Sequence, residues 1–162
     1  MSRKSKSEAG RALRSAARFY AVQALFQMES SGQTVEQVRV EFATHRIGAE
    51  AEGEVWVEAD LDWFGLLVDL AVDRQAQIDQ LTDRALVAKW PIARIDPTLR
   101  ALFRAAGAEM TGTETPPRVV ITEYVRLTQD FFPEGKESGF VNAVLDHMAR
   151  EARPEAFEAP TP

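Results

Sequence analysis

The chain has 162 residues, of which 45% are apolar and 27% are charged, and its formal net charge at pH 7 is -6. This length and balance are typical of one globular domain and exclude a fibrous or wholly disordered protein. Because the chain has no cysteine, disulfides, zinc–thiolate sites, iron–sulfur clusters and thiol nucleophiles are excluded. No run of about 18 apolar residues occurs and no apolar segment follows the basic start, so we expect a cytoplasmic protein.

The charge is distributed unevenly along the chain. Residues 1–18 carry six basic side chains and one acidic side chain, whereas the remaining residues carry 13 basic and 24 acidic ones. A polyanion would be attracted by the first segment and repelled by the rest. We therefore expect any nucleic-acid contact to begin at the amino-terminal end.

The first predicted element is a long amphipathic helix. Residues 1–9 are rich in Ser, Lys and Arg without periodicity, so we expect a disordered basic arm there. Helical spacing begins near Gly10, with an apolar stripe that runs from Leu13 to Met28. On the opposite side, arginines at i, i+3 and i+7 form a second stripe that we expect to face outward; these are Arg11, Arg14 and Arg18.

Two further helices are predicted before the middle of the chain. Thr34 and Gln37 have the spacing of a capping box and begin a short second helix. The acidic stretch 48–58 contains glycines, has no clear period and is expected to be a loop. Asp60 can then cap a long third helix that we expect to continue to about Leu86.

The second half of the chain is also predicted to be helical. Asp96–Pro97 has the form of an N-cap followed by a proline in the first turn, and Pro116–Pro117 begins another helix. A last helix is predicted over residues 137–152, followed by a flexible tail over 153–162. No segment alternates at period two for long enough to form a strand. The fold class is therefore all-α, with one helical domain over residues 10–152.

The sequence lacks the residue patterns that common kinds of catalysis require. The two histidines, His45 and His147, each lack a second histidine at metal-ligand spacing. His147 and Glu151 are four residues apart, but a solvated pair at a helix end explains them better. No phosphate-binding glycine loop and no nucleophile elbow occurs. We therefore expect a binding protein without enzymatic activity, metal or cofactor.

Two stretches resemble the NusB family. Residues 18–26, RFYAVQALF, are similar to the family's first-helix pattern R-x-x-A-V-Q-A-L-Y/F. Residues 140–146, FVNAVLD, are similar to F-V-N-G-V-L-D in its last helix. Between them, the Asp96–Pro97 start and the PPRVVITE of residues 116–123 resemble family segments in order and approximate spacing. The resemblance covers roughly residues 10–150.

This resemblance implies a fold of seven helices in two subdomains that form one compact domain. It also implies a transcription antitermination factor that binds boxA RNA together with NusE, a small-subunit ribosomal protein, notably during ribosomal RNA transcription. The pair would nucleate a complex with NusA, NusG and RNA polymerase. Family members are either monomers or homodimers that mask the RNA-binding face, and the sequence does not distinguish these two states.

The resemblance also assigns binding residues. The arginines of the outward stripe, together with Gln23 and Phe140, match the family's RNA contacts. For Gln23 a polar position that flanks the core is an equal alternative. Lys136 is an additional candidate for a phosphate contact, although a solvated surface position explains it better. For Phe140 a place in the core is an equal alternative to base stacking. Phe26 matches an aromatic residue that packs against NusE, and Glu109 and Met110 belong to the same expected partner surface. Two departures bear on that surface: Leu99 replaces an acidic residue, and Gly107–Ala108 replace a bulkier pair.

Two other functions remain open at this point. The chain could be a helical RNA-docking module related to the amino-terminal domain of ribosomal RNA cytosine methyltransferases. It could also be an adaptor that binds only proteins, in which case changes to the arginines would leave partner binding unaffected.

Overall fold

A computed structural model of the protein describes residues 3–48, 50–51, 54–55, 57–86 and 92–158. The prediction of an all-α fold is confirmed. The described residues contain seven α-helices: α1 (Arg3–Ser31), α2 (Val35–His45), α3 (Leu61–Asp73), α4 (Gln75–Ala85), α5 (Pro97–Gly112), α6 (Pro117–Phe131) and α7 (Ser138–Ala152). Two strands of two residues each, β1 (Glu50–Ala51) and β2 (Glu54–Val55), pair antiparallel within the stretch expected to be a loop.

Several helix starts follow from local hydrogen bonds that the sequence predicted. The Thr34 hydroxyl accepts a hydrogen bond from the backbone amide of Gln37, and the Gln37 side-chain oxygen accepts one from the backbone amide of Thr34, so the capping box is present. Asp60 caps α3 by accepting from the Trp63 amide. Asp96 caps α5 in front of Pro97. These caps satisfy amide groups that have no partner within the helix.

The boundaries differ from the sequence prediction at three places. Helix α1 begins at Arg3, so helix occupies most of the segment expected to be a disordered arm. The expected long third helix is two helices that meet at Arg74, where φ is -106° and ψ is 12°. Residues 154–157, within the expected tail, form a 3-10 turn. There Phe157 lies under the guanidinium groups of Arg118 and Arg150.

The break at Arg74 has a tertiary cause. Neither proline nor glycine occurs nearby, so local sequence gives no signal to stop. In the fold, α3 packs on α1 and α5, whereas α4 packs on α5 and α7. The Arg74 side chain donates to the Thr111 carbonyl at 3.0 Å near the end of α5. The change of direction thus lets two helices bury two different apolar faces.

Helix α5 lies at the centre of the molecule. Helices α1, α2 and α3 contact one another, α7 contacts both α4 and α6, and α5 contacts members of both groups. Every residue of α5 from Ala105 to Met110 is buried. Small side chains allow close approach there: a Cβ atom on Gly107 would lie 2.5 Å from a methyl carbon of Ile78.

Near the carboxyl end of α1, charged side chains link this helix to α4 and α5. Glu29 accepts hydrogen bonds from Arg100 and Arg104, and Arg104 also pairs with Asp79 through two bonds of 2.9 and 3.0 Å.

Among the described residues no helix is long and apolar enough to cross a membrane.

Candidate nucleic-acid and partner interface

A groove between α1, α3 and the turn from α5 to α6 is lined by arginines of α1. Its volume is about 550 Å³, and we call it the cationic groove. All three arginines of the expected stripe line it, but they lie in different surroundings. Other residues that line it include Trp63, Leu66, Glu114, Pro116, Val119 and Glu123.

Arg11 and Arg14 are exposed, as the sequence predicted. Arg11 donates a hydrogen bond of 3.2 Å to Ser7 on the preceding turn. The Arg14 guanidinium lies over the Trp63 ring, 4.0 Å from its centroid, and its Nε is 4.0 Å from Asp60. The Arg14 side chain is nevertheless 49% exposed. Both guanidinium groups can therefore reach an anion from solvent.

Arg18 does not face outward, and this part of the predicted stripe is wrong. It is 5% exposed, and its Nε and one terminal nitrogen donate to the two carboxylate oxygens of Glu109 at 2.8 and 2.7 Å. Burial alone would lower the pKa of Arg18, but the hydrogen bonds and charge of Glu109 outweigh it and the pKa is raised. The reason is positional. Arg18 is about 10 Å further along the helix axis than Arg11, at a level where α5 and α6 cover α1.

Glu109 and Met110 were expected at the partner surface, and both are fully buried instead. Glu109 accepts a third hydrogen bond, of 3.1 Å, from the Tyr124 hydroxyl. Burial and then the Glu109 charge raise the pKa of Tyr124 well above its ordinary value, so this hydroxyl stays protonated and donates. The buried carboxylate is thus satisfied by Arg18 and Tyr124, and it joins α1, α5 and α6 rather than meeting a partner.

Glu123 extends this network to the floor of the cationic groove. Its carboxylate is 3.5 Å from Arg18, and it accepts from Ser15 at 3.0 Å and from Arg126 at 2.6 Å. Arg18 and Arg126 together balance the charges of the Glu109 and Glu123 carboxylates. The negative charge of Glu123 therefore opposes anion binding by Arg11 and Arg14 less than a free carboxylate would.

A second groove, of about 360 Å³, lies between α1, the start of α5 and the end of α6. We call it the aromatic groove. Phe26 lines it and is 40% exposed, and Val22, Gln23, Thr98 and Phe131 contribute to its walls. The Oε1 atom of Gln23 is buried and has no hydrogen-bond donor among the described residues. The groove thus combines an exposed ring with an unsatisfied acceptor. Gln23, expected beside the arginines, lies with Phe26 instead.

Lys136 and Phe140 lie at the approach to α7. Lys136 is exposed and its ammonium group is 3.8 Å from Glu134, within the turn that contains Gly135 at a positive φ of 76°. Phe140 is 37% exposed and meets the buried Phe103 ring edge to face at 6.1 Å. Phe140 therefore has features of both expected roles, a packed side and an exposed side.

The two departures from the family pattern are buried rather than at a surface. Leu99 is 8% exposed, Ala108 is fully buried, and Gly107 faces Ile78 on α4. These residues belong to the packing of α5. The contact between Trp63 and Arg14 was not predicted. Only tertiary structure brings α3 beside that part of α1, so no local pattern could have indicated the pair.

The described residues contain no group of three or more histidine or acidic side chains placed to hold a metal ion. What the geometry defines is an all-helical binding protein with an arginine-lined groove and, further along the same helix, an aromatic one. The sequence profile of the NusB family matches residues 15–150, and the chain belongs to the NusB family.

Relatives and solved structures agree with this assignment. The chain is 46% identical over 157 residues to the transcription antitermination protein NusB of Maricaulis maris, covering 96% of this chain and 98% of that protein. It is 47% identical to NusB of Caulobacter vibrioides over 86% of this chain and 94% of the relative. T. maritima NusB superposes with a TM-score of 0.70 at 27% identity, over 90% and 97% of the two chains. A chain from the complex of the antitermination factors NusB and NusE with dsRNA superposes with a TM-score of 0.67 at 23% identity, over 86% and 98%.

Proposed function

We propose that this protein is a transcription antitermination factor that acts in the cytoplasm and binds single-stranded boxA-type RNA together with NusE, notably during ribosomal RNA transcription. Family membership over residues 15–150 carries the proposal. The exposed Arg11 and Arg14 in the cationic groove support it, because guanidinium groups form charge-assisted bonds to phosphate and stack on unpaired bases. NusA, NusG and RNA polymerase would join the complex after this pair has bound RNA.

The charge distribution supports a need for a partner in RNA binding. With Arg18 buried against Glu109, the groove offers two exposed arginines on a chain whose net charge is -6. Each phosphate contact contributes a slope of about 0.7 to the dependence of log affinity on log salt for a single strand. Two such contacts give weak binding, so a second protein must supply additional cationic surface.

The aromatic groove is the surface that we propose for that protein. An exposed aromatic residue beside a pocket is typical of the residues that dominate protein interfaces. Gln23 lines the same groove beside Phe26. We therefore assign Phe26 and Gln23 to NusE binding, and Arg11 and Arg14 to RNA. Lys136 and Phe140 remain candidates for contacts to the same RNA.

A titration of a labelled boxA-type single strand, with and without NusE, tests this function. We expect fluorescence anisotropy to show at least a tenfold gain in affinity when NusE is present. A strand of the same length and scrambled sequence is the control for nonspecific attraction. Light scattering at each concentration determines whether the protein is a monomer or a homodimer. Absence of a gain with NusE, or equal affinity for the scrambled strand, would contradict the proposal.

A further inference from the structure

We propose that Trp63 is a positioning residue that holds Arg14 as a stacking platform for one unpaired base, so that the RNA-binding surface extends from α1 to α3. This inference rests on the RNA binding proposed above and adds a residue and a mode of contact to it. It concerns the cationic groove alone.

The contact between Arg14 and Trp63 leaves the arginine available to a ligand. The guanidinium carbon lies over the indole ring at 4.0 Å from its centroid. The Arg14 side chain remains 49% exposed. A planar cation that rests on an aromatic ring on one side offers its other side to a base, and guanidinium planes stack on unpaired bases in this way.

The start of α3 fixes both members of the pair. One carboxylate oxygen of Asp60 accepts the Trp63 amide at 2.9 Å, and the other lies 4.0 Å from the Arg14 Nε. The Asp60 amide donates to the Leu13 carbonyl at 3.1 Å, immediately before Arg14 in α1. The platform is therefore held before any ligand arrives, which reduces the ordering cost of binding.

The indole has no hydrogen bond that would explain its position. Its Nε1 is buried and has no acceptor among the described residues. A buried tryptophan usually finds a partner for this group, because leaving a donor unsatisfied costs free energy. Among the described residues, the interactions of the indole ring are packing and the face contact with Arg14.

The surroundings of Arg14 fit a nucleotide of single-stranded RNA better than a polypeptide. Arg11 is exposed and lies three residues before Arg14 on the same face of α1, where its guanidinium can bind a phosphate next to a base on Arg14. Leu66 and Val119 line the groove and are 41% and 42% exposed, and they offer apolar contact to the edges of a base. Two glutamates also line the groove. Glu123 is paired with Arg18 and Arg126, and Glu114 is exposed on the turn between α5 and α6.

A double-mutant cycle on the complex with NusE tests the proposal. The probe is the labelled boxA-type strand, and the variants are Trp63→Leu, Trp63→Phe, Arg14→Ala and the double variant Trp63→Leu/Arg14→Ala. We expect Trp63→Leu and Arg14→Ala each to weaken RNA binding about fivefold or more. The double variant should lose no more affinity than Arg14→Ala alone, because Trp63 acts through Arg14. Trp63→Phe should retain most of the affinity, since it keeps an aromatic ring. Arg118→Gln, which removes a similar contact with Phe157, is the matched control and should change nothing.

Arg14→Lys keeps the inference testable if Trp63→Leu does not fold. It retains the charge but loses the planar group that stacks. We expect the same loss of affinity as for Trp63→Leu, with the salt dependence of wild type. Wild-type affinity in Arg14→Lys, or additive losses in the cycle, would overturn the inference and leave the proposed function standing. A loss of NusE binding without RNA in Trp63→Leu would show that the groove holds a polypeptide and would also overturn it. Failure of the wild-type complex to bind RNA would instead refute the proposed function.

Discussion

Arg18 on α1 and Glu109 on α5 form a buried ion pair through two hydrogen bonds of 2.7 and 2.8 Å. Removing Arg18 leaves the buried Glu109 carboxylate with the neutral Tyr124 hydroxyl as its remaining donor among the described residues. We therefore expect Arg18→Ala to lower the free energy of unfolding by about 3–5 kcal/mol, measured by urea denaturation.

The same variant distinguishes a structural arginine from an RNA contact. Replacing both members with apolar residues, as in Arg18→Met/Glu109→Leu, should recover part of the lost stability. No unpaired buried charge remains, but the buried Tyr124 hydroxyl loses its acceptor. At a temperature where it is folded, Arg18→Ala should bind RNA with nearly wild-type affinity. A loss of RNA affinity without a loss of stability would contradict the structure at this position.

Arg11 gives the opposite pattern. It is exposed, with a single hydrogen bond to Ser7 among the described contacts, so Arg11→Ala should leave stability nearly unchanged. If it binds a phosphate, the slope of log affinity against log salt should fall by about 0.7. Anisotropy titrations with NusE at four salt concentrations measure this slope. Arg39→Ala, at an exposed arginine of α2 paired with Asp69, is the control and should keep the wild-type slope.

The contrast between Arg11 and Arg18 illustrates how far the sequence could predict the site. Helical spacing correctly places them on one side of α1, because the periodicity determines the angular position of each residue. It does not reveal where along the axis a neighbouring helix covers that side. The same reason explains why Leu13, on the predicted apolar stripe, is 38% exposed.

The fold was more predictable than the site for a related reason. Caps at Thr34, Asp60 and Asp96 are local and were identified from short motifs. The break at Arg74 depends on which helices α3 and α4 pack against, so it left no local signal. The Arg14–Trp63 pair and the grouping of Gln23 with Phe26 also depend on tertiary contacts.

Phe26 should contribute to partner binding more than to stability. Because its ring is 40% exposed, Phe26→Ala should cost less stability than the 3–5 kcal/mol typical of a core phenylalanine. The affinity of the Phe26→Ala variant for NusE should fall at least about tenfold, and isothermal titration calorimetry without RNA measures this change. Val40→Ala, at a 64% exposed residue of α2, should bind NusE normally. Equal affinities of the Phe26 variant and wild type would remove the aromatic groove from the interface.

The Glu29 network predicts how stability changes in acid. The hydrogen bond from Arg100 lowers the pKa of Glu29 below its ordinary value of 4.5, although burial acts in the other direction. Because the folded-state pKa is the lower one, this stabilisation is complete above about pH 4.5 and is lost as pH falls through the folded-state pKa. Glu29→Gln should be less stable than wild type at pH 7, and the difference should shrink below pH 4.5. Urea denaturation from pH 7 to pH 3 measures it, with Glu114→Gln as the exposed control. A constant difference across this range would contradict the assignment.

The contact between α4 and α5 sets the size limit at Gly107. A Cβ atom there would lie 2.5 Å from the Cγ2 atom of Ile78, which is 1% exposed and belongs to the core. Gly107→Ala should therefore destabilise the protein by about 1–3 kcal/mol through overpacking. Gly10→Ala is the matched control, since a Cβ at that exposed position of α1 meets nothing within 4 Å. It should raise stability by up to about 1 kcal/mol because alanine has the higher helix propensity. Urea midpoints of the two variants should thus move in opposite directions, and a shift of both to higher urea would mean that α4 and α5 do not approach so closely.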